Sequence, residues 1–129
     1  DTLLYAFQGH PVLTVPPSGK RIFQLRTYES PSTADHLRKV QMFHSGEFEI
    51  FQACGMQAVF YSQVLLGQRM PALTYMLRFS GLADLEARWN EFRVNPEWKK
   101  LQADPRFSAE DLVSNISNLL LSPKPFSSI

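Results

Sequence analysis

Few residues in this chain have the type and spacing to do chemistry. His44 falls within the stripe Leu37, Val40, His44, Phe48 and Phe51, whose steps of three and four are those of one helix face. A polar ring among apolar neighbours needs a partner. Two readings stay open: a core histidine with a satisfied hydrogen bond, or a pocket residue between helix and sheet acting as base, proton donor or haem ligand. Glu47, three residues on, is placed to orient the ring; the plainer reading makes it a solvated carboxylate on the helix flank. Arg26 and Tyr28 alternate onto one face of a strand, and Tyr61, Tyr75 and Arg78 on later strands are placed to join them. A cavity lined by arginine and tyrosines suits a small anionic or phenolic ligand. The competing reading is an interface of paired arginines and packed rings. His44, Tyr28, Arg26, Tyr61 and Tyr75 therefore form the candidate ligand-binding set, and no catalytic residue is assigned.

The remaining reactive groups offer less. His36 and His44 are eight residues apart, about 80° around a regular helix, which disfavours a shared metal. Cys54 has no basic neighbour in sequence and reads as an inert small residue. No phosphate loop, dinucleotide fingerprint, nucleophile elbow, H-E-x-x-H or C-x-x-C occurs. No cofactor and no metal are expected.

These groups must be positioned by one domain's worth of chain, 129 residues with a hydrophobic fraction of 44% and a charged fraction of 19%, which excludes disordered and fibrous classes. Thirteen basic against 12 acidic residues give a net charge of +1, without the electrostatic footprint of a nucleic-acid or anionic-lipid binder. One cysteine rules out an internal disulfide. No apolar run approaches the ~18 residues of a membrane span, so a soluble chain of unassigned compartment is expected. Asp1 does not begin a signal peptide; a processed or trimmed start remains open.

Leu3 to Phe7 is a short strand-like run followed by Gly9, Pro11, Pro16, Pro17 and Gly19, so residues 1–20 read as a lead-in segment, on a sheet edge or from a neighbouring domain. Ile22 to Tyr28 alternates as a strand. Ser30-Pro31 reads as N-cap and first helical residue of a helix over 32–53, with Gly46 tolerated inside and Gly55 as the left-handed terminator. Residues 57–65 and 73–79 read as an antiparallel strand pair. Ser80 is expected to cap a helix burying Leu85, Trp89 and Phe92, and Asn95-Pro96 to restart a shorter one with Trp98 and Leu101 inward. Asp104-Pro105 ends it, Ser108 to Asp111 resembles a capping box, and 113–121 is the last strand. The order β-α-β-β-α-β predicts an α+β, ferredoxin-like fold with four antiparallel strands and two helices on one face. The face carrying Ile22, Gln24, Arg26 and Tyr28 is expected to be left without helices.

Arg21-Ile-Phe-Gln-Leu-Arg-Thr-Tyr-Glu29, Pro71-Ala-Leu-Thr-Tyr-Met-Leu-Arg-Phe79 and Trp89-Asn-Glu-Phe-Arg-Val-Asn-Pro-Glu-Trp98 resemble the NIPSNAP family, with the Trp89 to Trp98 spacing the most specific piece. The resemblance covers residues 21–129. It implies a dimeric α+β barrel, in which two ferredoxin-like sheets pack face to face, and bacterial members with two such domains in tandem. Residues 1–16 would then resemble the tail of a preceding copy, since Leu3-Leu4-Tyr5-Ala6-Phe7 with Pro11 echoes Leu119-Leu120-Leu121 with Pro123. The family brings no shared catalytic residues. Two function classes follow: a non-enzymatic module that associates with itself as a homodimer through its open sheet face, with a tandem domain, or with a small ligand; or a cofactor-free monooxygenase-like or haem-associated enzyme with a pocket between helix and sheet. The enzyme needs His44 in a closed pocket beside another polar group. The association module needs only a covered sheet face.

Overall fold

The computed structural model describes residues 1–129. The elements run β1 (Leu3–Ala6), β2 (Ile22–Glu29), α1 (Thr33–Met42), a π-turn (Phe43–Glu47), α2 (Phe48–Ala53), β3 (Gln57–Leu66), β4 (Ala72–Phe79), α3 (Leu82–Val94), α4 (Pro96–Gln102), α5 (Pro105–Ser108) and β5 (Asn115–Leu121). The strands form one antiparallel sheet in the order β1-β3-β4-β2-β5. Strands 2 to 5 with their two helical arms reproduce the ferredoxin-like arrangement. The expectation of four strands is corrected to five, because Leu4, Tyr5 and Ala6 pair with Val64, Gln63 and Ser62 along the outer edge of β3. The expected barrel is corrected too: β1 and β5 lie at opposite edges of an open sheet and do not meet. No helix is long and apolar enough to cross a membrane.

Local chemistry explains the ends of most elements. Ser32, not Ser30, caps α1, its Oγ accepting from the Asp35 N–H at 3.1 Å. Gly55, at φ 73°, terminates α2 as expected, with the Met56 N–H closing back on Phe51 O at 2.9 Å. Asn95 caps α4 through Oδ1, with Pro96 behind it as read from sequence. Asp104-Pro105 ends α4 and also opens α5. Ser80 caps nothing; Gly81 holds that position, and the Ser80 N–H donates to Asp84 Oδ2. No helix follows the Ser108 to Asp111 segment.

The first helical arm departs most from its expected form. Gly46, at φ 140°, admits a π-turn, and an extra residue in the turn shifts the rest of the arm by about 100° around its axis. His36, Lys39, Met42, Phe43, Glu47, Ile50 and Phe51 face inward, while Leu37 and His44 are exposed. Lys39 and Glu47 would lie about 80° apart on a regular helix. The added residue brings them within about 20° of one line.

Both arms pack on the same sheet face. Phe43, Phe51, Trp89 and Phe92 meet Tyr28, Tyr61, Leu73, Tyr75, Leu77 and Phe79 in one core. The face assignment made from β2 is therefore reversed: Ile22, Gln24, Arg26 and Tyr28 point toward the helices. The uncovered face carries Phe23, Leu25 and Thr27, opposite Arg78, Met76 and Thr74. Pairing accounts for the reversal, since Gln24 Oε1 accepts from Trp89 Nε1 at 2.7 Å and the Tyr28 and Tyr75 hydroxyls bond each other, so these polar atoms are satisfied beneath the helices.

Candidate functional site

The uncovered face has two unlike ends. At one end Phe23, Val59 and Met76 form a second apolar cluster, and Ile129 packs against it. The shift in pairing between Ala58 and Phe60 lets Val59 join Phe60 beside this cluster. Arg21 Nη2 holds Ile129 O at 2.8 Å, and the Ser127 N–H bonds Lys124 O at 2.9 Å, so residues 124–129 fold back across that end. At the other end lies an open trough of about 780 Å³, lined by Leu4, Leu25, Phe60, Val64, Met76 and Leu119 among others. Its rim is polar, with Arg69 donating to Ser117 Oγ at 2.7 Å and lying 3.4 Å from Glu29 Oε2.

The residues singled out from sequence lie elsewhere. Tyr28, Tyr61, Tyr75 and Arg26 come together beneath the helices, with the Tyr28 and Tyr75 hydroxyls 2.7 Å apart and the Tyr61 and Tyr75 rings 5.9 Å apart. The Arg26 guanidinium lies over Trp89 at 4.2 Å and Tyr28 at 5.3 Å, and its Nε is buried without a partner. Burial pushes the Tyr28 hydroxyl up to about 12, opposed by Arg26. Burial also raises Tyr61 and Tyr75 well above the usual phenol range. Such phenols are poor acids and serve here as core rings, Tyr28 and Tyr75 bonded to each other and Tyr61 packed against Phe48 at 4.5 Å. Tyr61 also borders a groove of about 390 Å³ beneath the loop of residues 10–17, beside His10, Phe48 and Arg78.

His44 does not join them. It lies on the same outward side of the arm as the exposed Leu37, its ring 5.1 Å from Phe48 and 5.6 Å from Phe7, outside the closed pocket that the enzyme reading requires. The polar group inside the arm is Glu47, which sequence reasoning placed in solvent. It is buried and accepts from Lys39 Nζ at 2.9 Å, while the Lys39 ammonium lies 4.9 to 5.5 Å from the rings of Phe43, Trp98 and Tyr28. Burial raises the Glu47 carboxyl, with Lys39 and then Arg26 pulling the other way. Gly46, next to Glu47, is the one sequence signal that could have found this pair. No three His, Cys, Asp or Glu side chains converge as a metal centre would require.

The NIPSNAP family profile matches residues 23–128, from the first residues of β2 to the folded-back tail. The chain belongs to the NIPSNAP family. Its fold is shared with solved members of low identity. A NIPSNAP-like domain protein from Burkholderia xenovorans superposes with a TM-score of 0.73 at 18% identity, covering 85% of this chain and 90% of that one. A NIPSNAP family protein from Agrobacterium tumefaciens gives 0.73 at 20% identity, over 88% and 97%. A dabb family protein with a ferredoxin-like fold from Mesorhizobium loti gives 0.53 at 10%, over 81% and 97%. No curated protein sequence matches. Within this NIPSNAP domain, the polar groups with restrictive geometry are sealed into the core, and the accessible apolar surface is the open sheet face.

Proposed function

We propose that this NIPSNAP domain is an association module whose open sheet face takes a second copy of the chain. The observation that carries the reading is the trough face itself, where Leu25, Phe60, Met76 and Leu119 lie on a sheet surface with no helix over it. Five strands at ~4.8 Å spacing and about seven residues at ~3.3 Å give a face of roughly 550 Å² per partner. Two such faces bury on the order of 1,100 Å² before side-chain relief is counted, close to the lower bound of a stable interface. The near-neutral charge of the chain adds little repulsion between copies.

Light scattering on a sizing column at micromolar concentration should report twice the 14.8 kDa chain mass. Leu119 is 56% exposed and lies on this face, so Leu119→Arg should produce a folded monomer with unchanged far-UV circular dichroism. A wild-type chain that runs at 14.8 kDa up to ~100 μM, well above the weak end of the affinity range, rejects the reading.

A further inference from the structure

The same face carries a protrusion and a recess, and their pairing specifies how two copies would meet. Residues 124–129 cross the end of the face marked by Phe23, held down by Ile129 and Arg21. That end stands proud of the sheet by about the ~5 Å thickness of a chain, so two such faces cannot close flat against each other. The trough lies at the opposite end, beyond Leu25 and Met76. Phe126, within the anchored tail, is 88% exposed, the highest value among the large apolar side chains. A two-fold axis lying in the interface and running across the strands sets the Phe23 end of each copy over the trough end of the other. We infer that Phe126 of each copy fills the trough of its partner, among Leu25, Phe60, Val64 and Leu119. The volume of about 780 Å³ leaves ample room for one phenyl ring on each side. A two-fold axis along the strands would instead stack tail on tail and leave both troughs open.

This inference rests on the sheet-to-sheet reading above, and one experiment separates their failures. A photoreactive benzoylphenylalanine replaces Phe126 in ¹⁵N-labelled chain, which is mixed with unlabelled wild type, irradiated and mapped by mass spectrometry. In parallel, dimer dissociation is measured for Phe126→Ala, a change at an exposed site that leaves the isolated fold intact. The expected results are cross-links between labelled and unlabelled chains at trough peptides, and dissociation weakened by about tenfold or more, the effect of removing a buried aromatic anchor. Dimers whose cross-links stay within one chain, or whose stability is unchanged in Phe126→Ala, overturn the inference and leave the dimer standing. A monomeric wild type overturns both.

Discussion

The buried Lys39–Glu47 pair makes a prediction whose size follows from the structure. Replacing Lys39 by methionine keeps the four-atom stem of the side chain, but removes the ammonium that lies over the Phe43 and Trp98 rings and leaves the Glu47 carboxylate without its 2.9 Å partner. Glu47 then has two options in a site it shares with almost no solvent. It can remain charged, which costs about 3–5 kcal/mol for a broken buried pair. Or it can take up a proton, which at pH 7 costs about 3 kcal/mol relative to its ordinary value of 4.5. Protonation therefore caps the electrostatic loss near that figure at pH 7. A carboxyl whose folded pKa is raised contributes stability that is present below about 4.5 and lost as pH rises through the folded value. Because burial already raises the wild-type carboxyl, Lys39→Met should be destabilised by at most about 3 kcal/mol at pH 7 and by under about 1 kcal/mol near pH 4.5, read from urea melts followed by circular dichroism. The Lys39→Met/Glu47→Leu double variant should recover most of the loss at pH 7, because neither charge is then left buried. A Lys39→Met penalty that is the same at both pH values would refute the argument.

Trp89→Ala should cost about 3–5 kcal/mol, since the ring is buried and its loss also strips the hydrogen bond from Gln24. Trp98→Ala should cost less, about 1–2 kcal/mol, because that ring is only half-buried; equal losses in thermal melts would contradict the packing described. The three core phenols should stay un-ionised past pH 11 in an absorbance titration of the folded chain. Their raised values stabilise the fold below pH 10 and lose that effect as pH climbs toward about 12, so alkaline unfolding should accompany their ionisation.

The order of elements and the two-helix layer were legible in the sequence because strand alternation and the Asn95-Pro96 and Gly55 signals are local. The phase of each element was not. In β2, either set of alternate residues reads as a plausible core face. Tyr28, Arg26 and Gln24 look like a wet face, yet each meets an aromatic or hydrogen-bonding partner supplied by a distant element. In the first helical arm, the spacing that drew His44 inward assumed a uniform turn. Leu37, exposed in the regular turns before Gly46, shows that the inward face is the one through His36, Lys39 and Phe43, which turns His44 outward; the π-turn at Gly46 then brings Glu47 onto that face. Arg26, Tyr28, Tyr61 and Tyr75 share one face, because their relative register depends only on strand pairing, but that face is the helix-covered one, and Arg78, grouped with them from the sequence, lies opposite Phe23 on the other.

The polar groups of the open face bear on what can cover it. Thr74 Oγ1 donates to Arg26 O at 2.9 Å and lies 3.1 Å from Thr27 Oγ1. Ser62 Oγ donates to Thr74 O, and Arg69 is engaged by Ser117. The hydroxyls on this surface are thus satisfied within the sheet. Covering the face would strip water mainly from carbon and from the Arg78 guanidinium, whose Nε is already buried without a partner; the hydroxyls would add no ~1–3 kcal/mol penalty of orphaned polar groups. Evenly distributed contacts of this kind suit an apolar partner surface of the same size better than a small polar ligand, which would find few free donors or acceptors to orient it. The helix-side face has already met this requirement internally, through Phe43, Trp89 and the Lys39–Glu47 pair. The open face meets it only in association, and the anchored tail with Phe126 limits which association can close.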